Sequence, residues 1–572
     1  MTAAVRNPAR GAEPGRTRSP FHAEFAPAGE PAAQWHHLTG SSGAIALMSA
    51  ARKHPGITLV VTRSSRQALI LANDLELLRL GTLPILMFPD QETLPYDTFS
   101  PHPDITSQRL RTLSALAQTR HGLLLTPVSA LANRLPPTGH ILQRSFDLNP
   151  GDRLDIDAFR SRLLHAGYDS AEQVYQPGQF AIRGSVIDLY PSGYATPIRI
   201  DLFDCEIDTI RAFDPESQRS TDKLAGVTLL PAREYPTEPE ALDEFRRAFR
   251  LRFDVDTRQV PFYQDLRAGV HPQGLEQYLP LFYPQTHCLL DYIKAPIQRV
   301  MQSDWAPAAT ELYRRATERW EQRRYDIERP VLEPDELFLG PDELQARLEI
   351  HPLTVWGEDP SGPAGRTVFA VEEPPAVHIH ERGKEAATDL KAFLAAFSGQ
   401  VLFAADSPGR REVLGSTLAA FDIRPQVFDS FEAFHRSGAH LGLAVLPVEH
   451  GFVIPAELAL LTETQLFGGR TRQNVRTDRA ERDPESIIRS LSDLVAAAPV
   501  VHEDHGVGRY LGLEILEIDD RPAEFLMLQY AGDDKLYVPV SYLHLVSRYT
   551  GADPDTAPLH RLGGQQWEKA RR

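Results

Sequence analysis

Cysteine, net positive charge and long apolar runs are what this sequence has least of. Two cysteines in 572 residues, Cys205 and Cys288, cannot build a disulfide framework or a cysteine-ligated zinc site. A single bridge is the most they allow; two buried, reduced thiols are the expectation. No stretch reaches the roughly 18 apolar residues of a membrane helix, so no membrane role is expected. The formal net charge of −17 argues against bulk attraction to polyanions. Contact with nucleic acid would need a local basic patch. What is present is ordinary: 42% hydrophobic and 24% charged residues, in a length that suits about four domains.

Residues 1–30, rich in Pro, Gly, Arg and Ala, read as a disordered tail without the apolar core of a secretory signal. Strands and helices alternate over 31–145. ITLVVT (57–62), LPILMFP (83–89) and GLLLTPV (122–128) are short apolar strands. The helix over 65–78 presents Leu69, Leu71, Leu75 and Leu78, and a second helix spans 105–118. This order predicts a parallel sheet covered by helices. Residues 146–231 change period. FAIRGSVIDLYP, TPIRIDLFD and EIDTIRAFD alternate every second residue, which predicts an antiparallel meander in a small α+β insert.

Residues 232–345 are charged and helical, with a narrow stripe of Leu312, Trp320 and Tyr325 and a buried strand at HCLLDYI (287–293). A second α/β unit is expected over 346–467. An arginine-rich linker and a helix capped by Asp483, with Pro484 at its first position, fill 468–496. Short strands with Gly/Asp turns over 497–550 predict a small β-barrel. Residues 551–572 begin a further helix. The fold class is multidomain α/β and α+β.

One candidate for chemistry is LTGSSGAI (38–45), where a phosphate loop belongs in an α/β nucleotide fold. Such a loop needs a lysine for the β/γ-phosphates and Ser or Thr for magnesium. Gly40 and Gly43 keep the loop small, but Ala44 and Ile45 stand at those two positions and Leu38 at the first glycine position. The charge and the metal ligand are missing, so no ATP hydrolysis is expected there. Asp291 ends an apolar run as half of an acidic motif, with Tyr292 where a catalytic Glu would follow. His502 and His505 have a metal-compatible spacing but read as a polar turn between strands, and HIH at 378–380, alternating in an expected strand, carries the same weak signal. No catalytic residue and no metal site are assigned.

Two surface constellations say more. Arg183 precedes Gly184, Arg199 and Phe203, four apart, share a strand face, and Asp201 and Asp204 flank Phe203. An aromatic among arginines and acids has the composition of a protein-binding hot spot; a core phenylalanine beneath solvated charges is the alternative, and composition leaves both open. In LEILEID, Leu516 falls out of step with Leu513 and Ile515. It is an exposed apolar residue if this strand is an edge, and a core residue if it is central.

The blocks DQETLPYDTFSPHPDITSQRL, RGSVIDLYPSGYATPIRIDLFDCEIDTIRAFDPESQRS, VVHEDHGVGRYLGLE, DDKLYVPVSYLHLVSRY and LHRLGGQQWEKAR, in this order, resemble the N-terminal part of the bacterial transcription-repair coupling factors. The resemblance covers about residue 35 to the end. It implies a degenerate RecA-like, helicase-like domain (31–145 and 232–345) interrupted by a UvrA-binding insert (146–231). It further implies a small α/β domain and a Tudor- or CarD-like barrel that pairs with the RNA polymerase β subunit. The family's UvrA contacts fall on Arg183, Arg199 and Phe203, and its polymerase contact on Leu516. Loss of the phosphate loop is shared. Family members continue into an ATP-driven DNA translocase, and this sequence stops just after Trp567. The expectation is a monomeric, cytoplasmic adaptor that recruits without translocating. ATP, magnesium and most DNA contact would belong to the motor. The rivals are an active nucleotide enzyme at 38–45 and a polymerase-binding regulator with no repair role.

Overall fold

The computed structural model describes residues 17–26, 33–268, 270–357, 365–379, 387–467, 498–502, 506–518, 521–532, 534–539 and 546–548. They fall into two units, divided between Arg470 and Thr471.

The first unit is organised by an eight-stranded sheet. Its order is Thr17–Arg18, Gly365–Phe369, Ala33–His36, Leu353–Trp356, Ile297–Gln302, Ile57–Thr62, Gly122–Pro127 and Ile85–Met87, and every neighbouring pair is parallel. A parallel sheet is buried on both faces, so its strands read as continuous apolar runs. Ile57, Leu59 and Val61 pack into one layer while Val60 packs into the other, with Leu123 and Leu125 beside it. Helices Ser42–Ala51 and Ser65–Leu77 lie over one face, and Pro103–Leu116 and Trp305–Arg323 over the other. Local chemistry starts these helices. The Ser64 hydroxyl accepts from the Gln67 amide, and Pro103 occupies the first turn of its helix.

The insert leaves this domain through strand Phe146–Leu148 and returns through Val227–Leu229, and the two pair with each other. Between them lies a six-stranded sheet in the order Ser220–Leu224, Glu206–Phe213, Ile198–Phe203, Val186–Leu189, Gln179–Arg183 and Asp169–Ser170. Helix Ile156–His165 packs on one face through Phe159 and Leu163, over Ile187, Leu189, Ile198 and Ile200. The Gly193 amide donates to Ser107 Oγ at 2.7 Å and ties the insert to helix Pro103–Leu116, and a buried ion pair of Arg109 with Glu234 holds the segment just past the insert to the same helix. A second sheet, Gln426–Phe428, Leu441–Val445, Gln400–Ala405, Leu458–Thr462 and Phe452–Ile454, is parallel except for its last pair.

The second unit is a five-stranded antiparallel sheet in the order Lys535–Pro539, Arg521–Gln529, Gly506–Ile518, Pro499–His502 and Val546–Arg548. Val500, Val507, Tyr510, Leu526, Leu528 and Val546 are buried in it.

Several expectations need correction. The tail does not extend to residue 30: Thr17–Arg18 joins the sheet, Ala23 is buried, and Phe25 stacks on Trp35 at 5.5 Å. The first domain does not end at 345, because Leu353–Trp356 and Gly365–Phe369 belong to its sheet. HCLLDYI is not a strand; Leu289–Tyr292 is a 3-10 helix whose start the Asp291 carboxylate caps. In the Ser65–Leu77 helix the buried stripe is Ala68, Leu71 and Leu75, at spacings of three and four, and Leu69 faces solvent. In helix Trp305–Arg323 the buried positions are Ala309 and Ala316, while Tyr325 lies past its end and is exposed. Cys288 is buried, but Cys205 is only half-buried; both are free. The linker, its helix at Asp483, and 551–572 lie outside the described residues.

Candidate partner-docking surface

One face of the insert sheet is covered by its helix. The other carries the residues that alternate with the core: Ala181 and Arg183, Val186 and Asp188, then Arg199, Asp201 and Phe203. Arg183, Arg199 and Phe203 therefore share this outer face. Phe203 begins the tight turn between strands Ile198–Phe203 and Glu206–Phe213, where Asp204 adopts φ +58°. Its side chain is 80% exposed. The core-phenylalanine alternative is thereby overturned. Water-facing phenyl rings of this size are poor for a free surface and well suited to a buried partner contact.

The two arginines meet at a residue that sequence reading passed over. Asp188 sits opposite Arg199 in the register and is 1% exposed. Arg199 donates to it twice, Nε to Oδ1 at 2.6 Å and Nη2 to Oδ2 at 3.0 Å. Arg183 Nη2 donates to the same Oδ2 at 2.6 Å. Arg199 also donates to the Gln218 carbonyl at 3.3 Å and lies 5.0 Å over the Phe213 ring. The bonds to Asp188 raise the Arg199 pKa above the ordinary value, against burial and with help from the Asp201 charge. Arg199 is 22% exposed and Arg183 51% exposed. The pair is asymmetric: Arg199 is a fixed strut, and Arg183 leaves half of its surface in water. The signal for Asp188 was available, because an acid in SVIDLYP stands where period two points away from the core.

The loop at 38–45 has the opposite character. It does connect strand Ala33–His36 to helix Ser42–Ala51, where a phosphate loop would lie. Its space is taken. The Ser41 amide and hydroxyl both donate to the His450 carbonyl, at 3.2 and 3.1 Å. The Ser42 amide bonds Thr39 and the Ala44 amide bonds Ser41. A Cβ at Gly43 would overlap the indole of Trp356, and one at Gly40, where φ is +54°, the Gly451 carbonyl. Ala44 and Ile45 are buried. Beside the loop, burial pushes the Asp74 carboxyl up to about 6, assisted by Glu449 and opposed by Ser41.

In the second unit, Leu516 pairs with Ala523 on strand Gly506–Ile518. Strand Pro499–His502 covers only Gly506–Arg509 of that strand, so among the described residues 511–518 have a strand partner on one side only. Leu513 pairs with the buried Leu526, and Leu516 belongs to the alternate set. The Leu516 side chain lies outside the described residues. So does His505; His502 is buried in its strand. His378 is not in a strand: it is exposed, and its Nδ1 lies 2.8 Å from the Gln465 carbonyl. His380 is outside the description. Among the described residues no group of three His, Cys, Asp or Glu could hold a metal, and no helix is long and apolar enough to cross a membrane.

Comparison with known proteins follows this division. Residues 146–235 match the UvrB interaction domain, 393–466 the MFD D3 domain, and 498–550 the CarD-like/TRCF RID domain. The chain corresponds to the N-terminal portion of the transcription-repair-coupling factors. The transcription-repair-coupling factor of Haemophilus influenzae is 39% identical over 545 residues, covering 94% of this chain and 47% of that protein. That of Escherichia coli is 37% identical over 537 residues, with 93% and 46% covered. The factor of Bacillus subtilis is 27% identical over 558 residues, with 94% and 46% covered. The chain thus spans about half the length of these coupling factors. The UvrB interaction domain match falls on the insert, and the CarD-like/TRCF RID match on the unit carrying Leu516.

Proposed function

We propose that this chain is the recruiting half of transcription-coupled DNA repair, a two-ended adaptor. The insert's outer face would take UvrA, with Phe203 as apolar anchor and Arg183 as exposed donor held by Asp188. The sheet of the second unit would engage RNA polymerase at its β subunit, by strand addition along 511–518 with Leu516 setting the register. The chain would act in the cytoplasm as a monomer. The single observation that carries the reading is the 80% exposure of Phe203 within a rigid arginine–aspartate frame. ATP turnover and DNA translocation would belong to the remainder of the coupling factor. No nucleotide is proposed at 38–45, because Trp356 and the 450–451 backbone pack tightly against Gly43 and Gly40, and Ala44 stands where a phosphate loop carries its lysine.

Two purified partners test the two ends separately. Arg183→Ala with Phe203→Ala should lose UvrA in a pull-down and keep RNA polymerase. Leu516→Arg should do the reverse. Loss of both partners in either variant, or of neither, contradicts the adaptor.

A further inference from the structure

We infer that the docking face does not end at Arg199 but continues across the insert sheet to Arg211 and Lys223, where it receives carboxylates of an acidic protein surface. The inference rests on the docking reading above and names the chemistry of the partner at that face.

The register carries it. Ala181 pairs with Asp188, Asp188 with Arg199, Arg199 with Arg211, and Arg211 with Lys223. Directly opposed residues of antiparallel strands point to the same face, so these five form one row across five strands. Three successive members are cations. Like charges directly opposite one another repel, and the row holds one carboxylate. That carboxylate is consumed: Asp188 already binds Arg199 through both oxygens and Arg183 through one. Arg211 and Lys223 have no ion pair among the described residues, and Arg211 Nε is buried with no hydrogen-bond partner. Arg211 is half-buried and Lys223 exposed, on the edge strand Ser220–Leu224. A chain of net charge −17 thus leaves two adjacent cations uncompensated beside its exposed aromatic anchor.

The partner chemistry follows from what surrounds the row. Exposed Asp204, Glu206 and Asp208 crowd the tip beside Phe203. A phosphate backbone laid along this face would meet those carboxylates. A protein surface can place carboxylates against Arg211 and Lys223 and basic or apolar groups against the tip. The row would steer the partner, and Phe203 would hold it. Rim charges of this kind act on the association rate and its salt dependence more than on dissociation.

The test is the association rate of UvrA with the full chain, measured from low to physiological salt. Arg211→Ala with Lys223→Ala should slow association about tenfold at low salt and flatten the salt dependence. The dissociation rate should stay near wild type. The exchange Arg211→Lys with Lys223→Arg keeps the charges and should restore the rate, which separates steering from a folding defect. Unchanged association and salt dependence in the alanine pair, together with loss of binding in Phe203→Ala, would overturn the extension alone. Unchanged binding in both variants would overturn the docking reading with it. Duplex DNA binding that disappears in the alanine pair, with UvrA association intact, would overturn the choice of a protein partner.

Discussion

The outer face of the insert sheet and the 38–45 loop begin alike, as short turns beside a sheet, and end in opposite conditions. At the loop, amides bond Thr39, Ser41 and His450, and Trp356 and the Gly451 carbonyl leave no room for a Cβ at Gly43 or Gly40. At the insert face, a buried carboxylate fixes two arginines and leaves Phe203 in water. A strand–loop–helix shape alone therefore does not make a site. What matters is bonding capacity left unspent at the surface, and that differs between the two although the backbone at each is well formed.

The most damaging break in this contrast is Asp188→Ala. It leaves Arg199 beneath the face without its partner and should cost about 2–3 kcal/mol, less than a fully buried pair because Arg199 can turn toward water. Urea denaturation measures it, and binding of UvrA should be lost alongside. Gly43→Ala tests the filled loop. The new methyl has no room against Trp356 and should cost about 2 kcal/mol; adding Trp356→Ala should recover part of it, and the double variant should still fail to bind a fluorescent nucleotide.

Asp74→Asn probes the same region with the opposite sign. Its carboxyl, raised to about 6 mainly by burial, holds its proton better in the folded chain than in the unfolded one. Its contribution is therefore full below about pH 4 and is lost as pH rises through about 6. At pH 7.5 the amide should stabilise the chain by about 1–2 kcal/mol, and at pH 4 by much less. The smallest effect belongs to Phe203→Ala, which should leave stability within about 0.5 kcal/mol. A large loss there would mean that the ring is structural.

Much of the fold was legible because its signals are local. Period-two alternation located the meander, apolar runs located the parallel strands, and the small residues of LTGSSGAI located the turn before helix Ser42–Ala51. What was not legible depends on long-range partners. Nothing near Gly43 in sequence announces that Trp356 fills its site. One edge of the first domain's sheet is built by Thr17–Arg18 and Gly365–Phe369, whose pairing partners lie far along the chain. Asp188 is intermediate: its alternation was visible, but its two arginines, Arg183 and Arg199, meet it only across strands. The same holds for Arg211 and Lys223, ordinary surface cations until the register sets them in line.

The central claim is that an exposed aromatic on a rigid charged frame is the recruiting contact. Calorimetric titration of UvrA onto the full chain, wild type against Phe203→Ala, tests it most directly. The expected result is an affinity lower by at least about thirtyfold, the scale of a hot-spot residue, with the melting temperature unchanged. Equal affinity for the two proteins would contradict it.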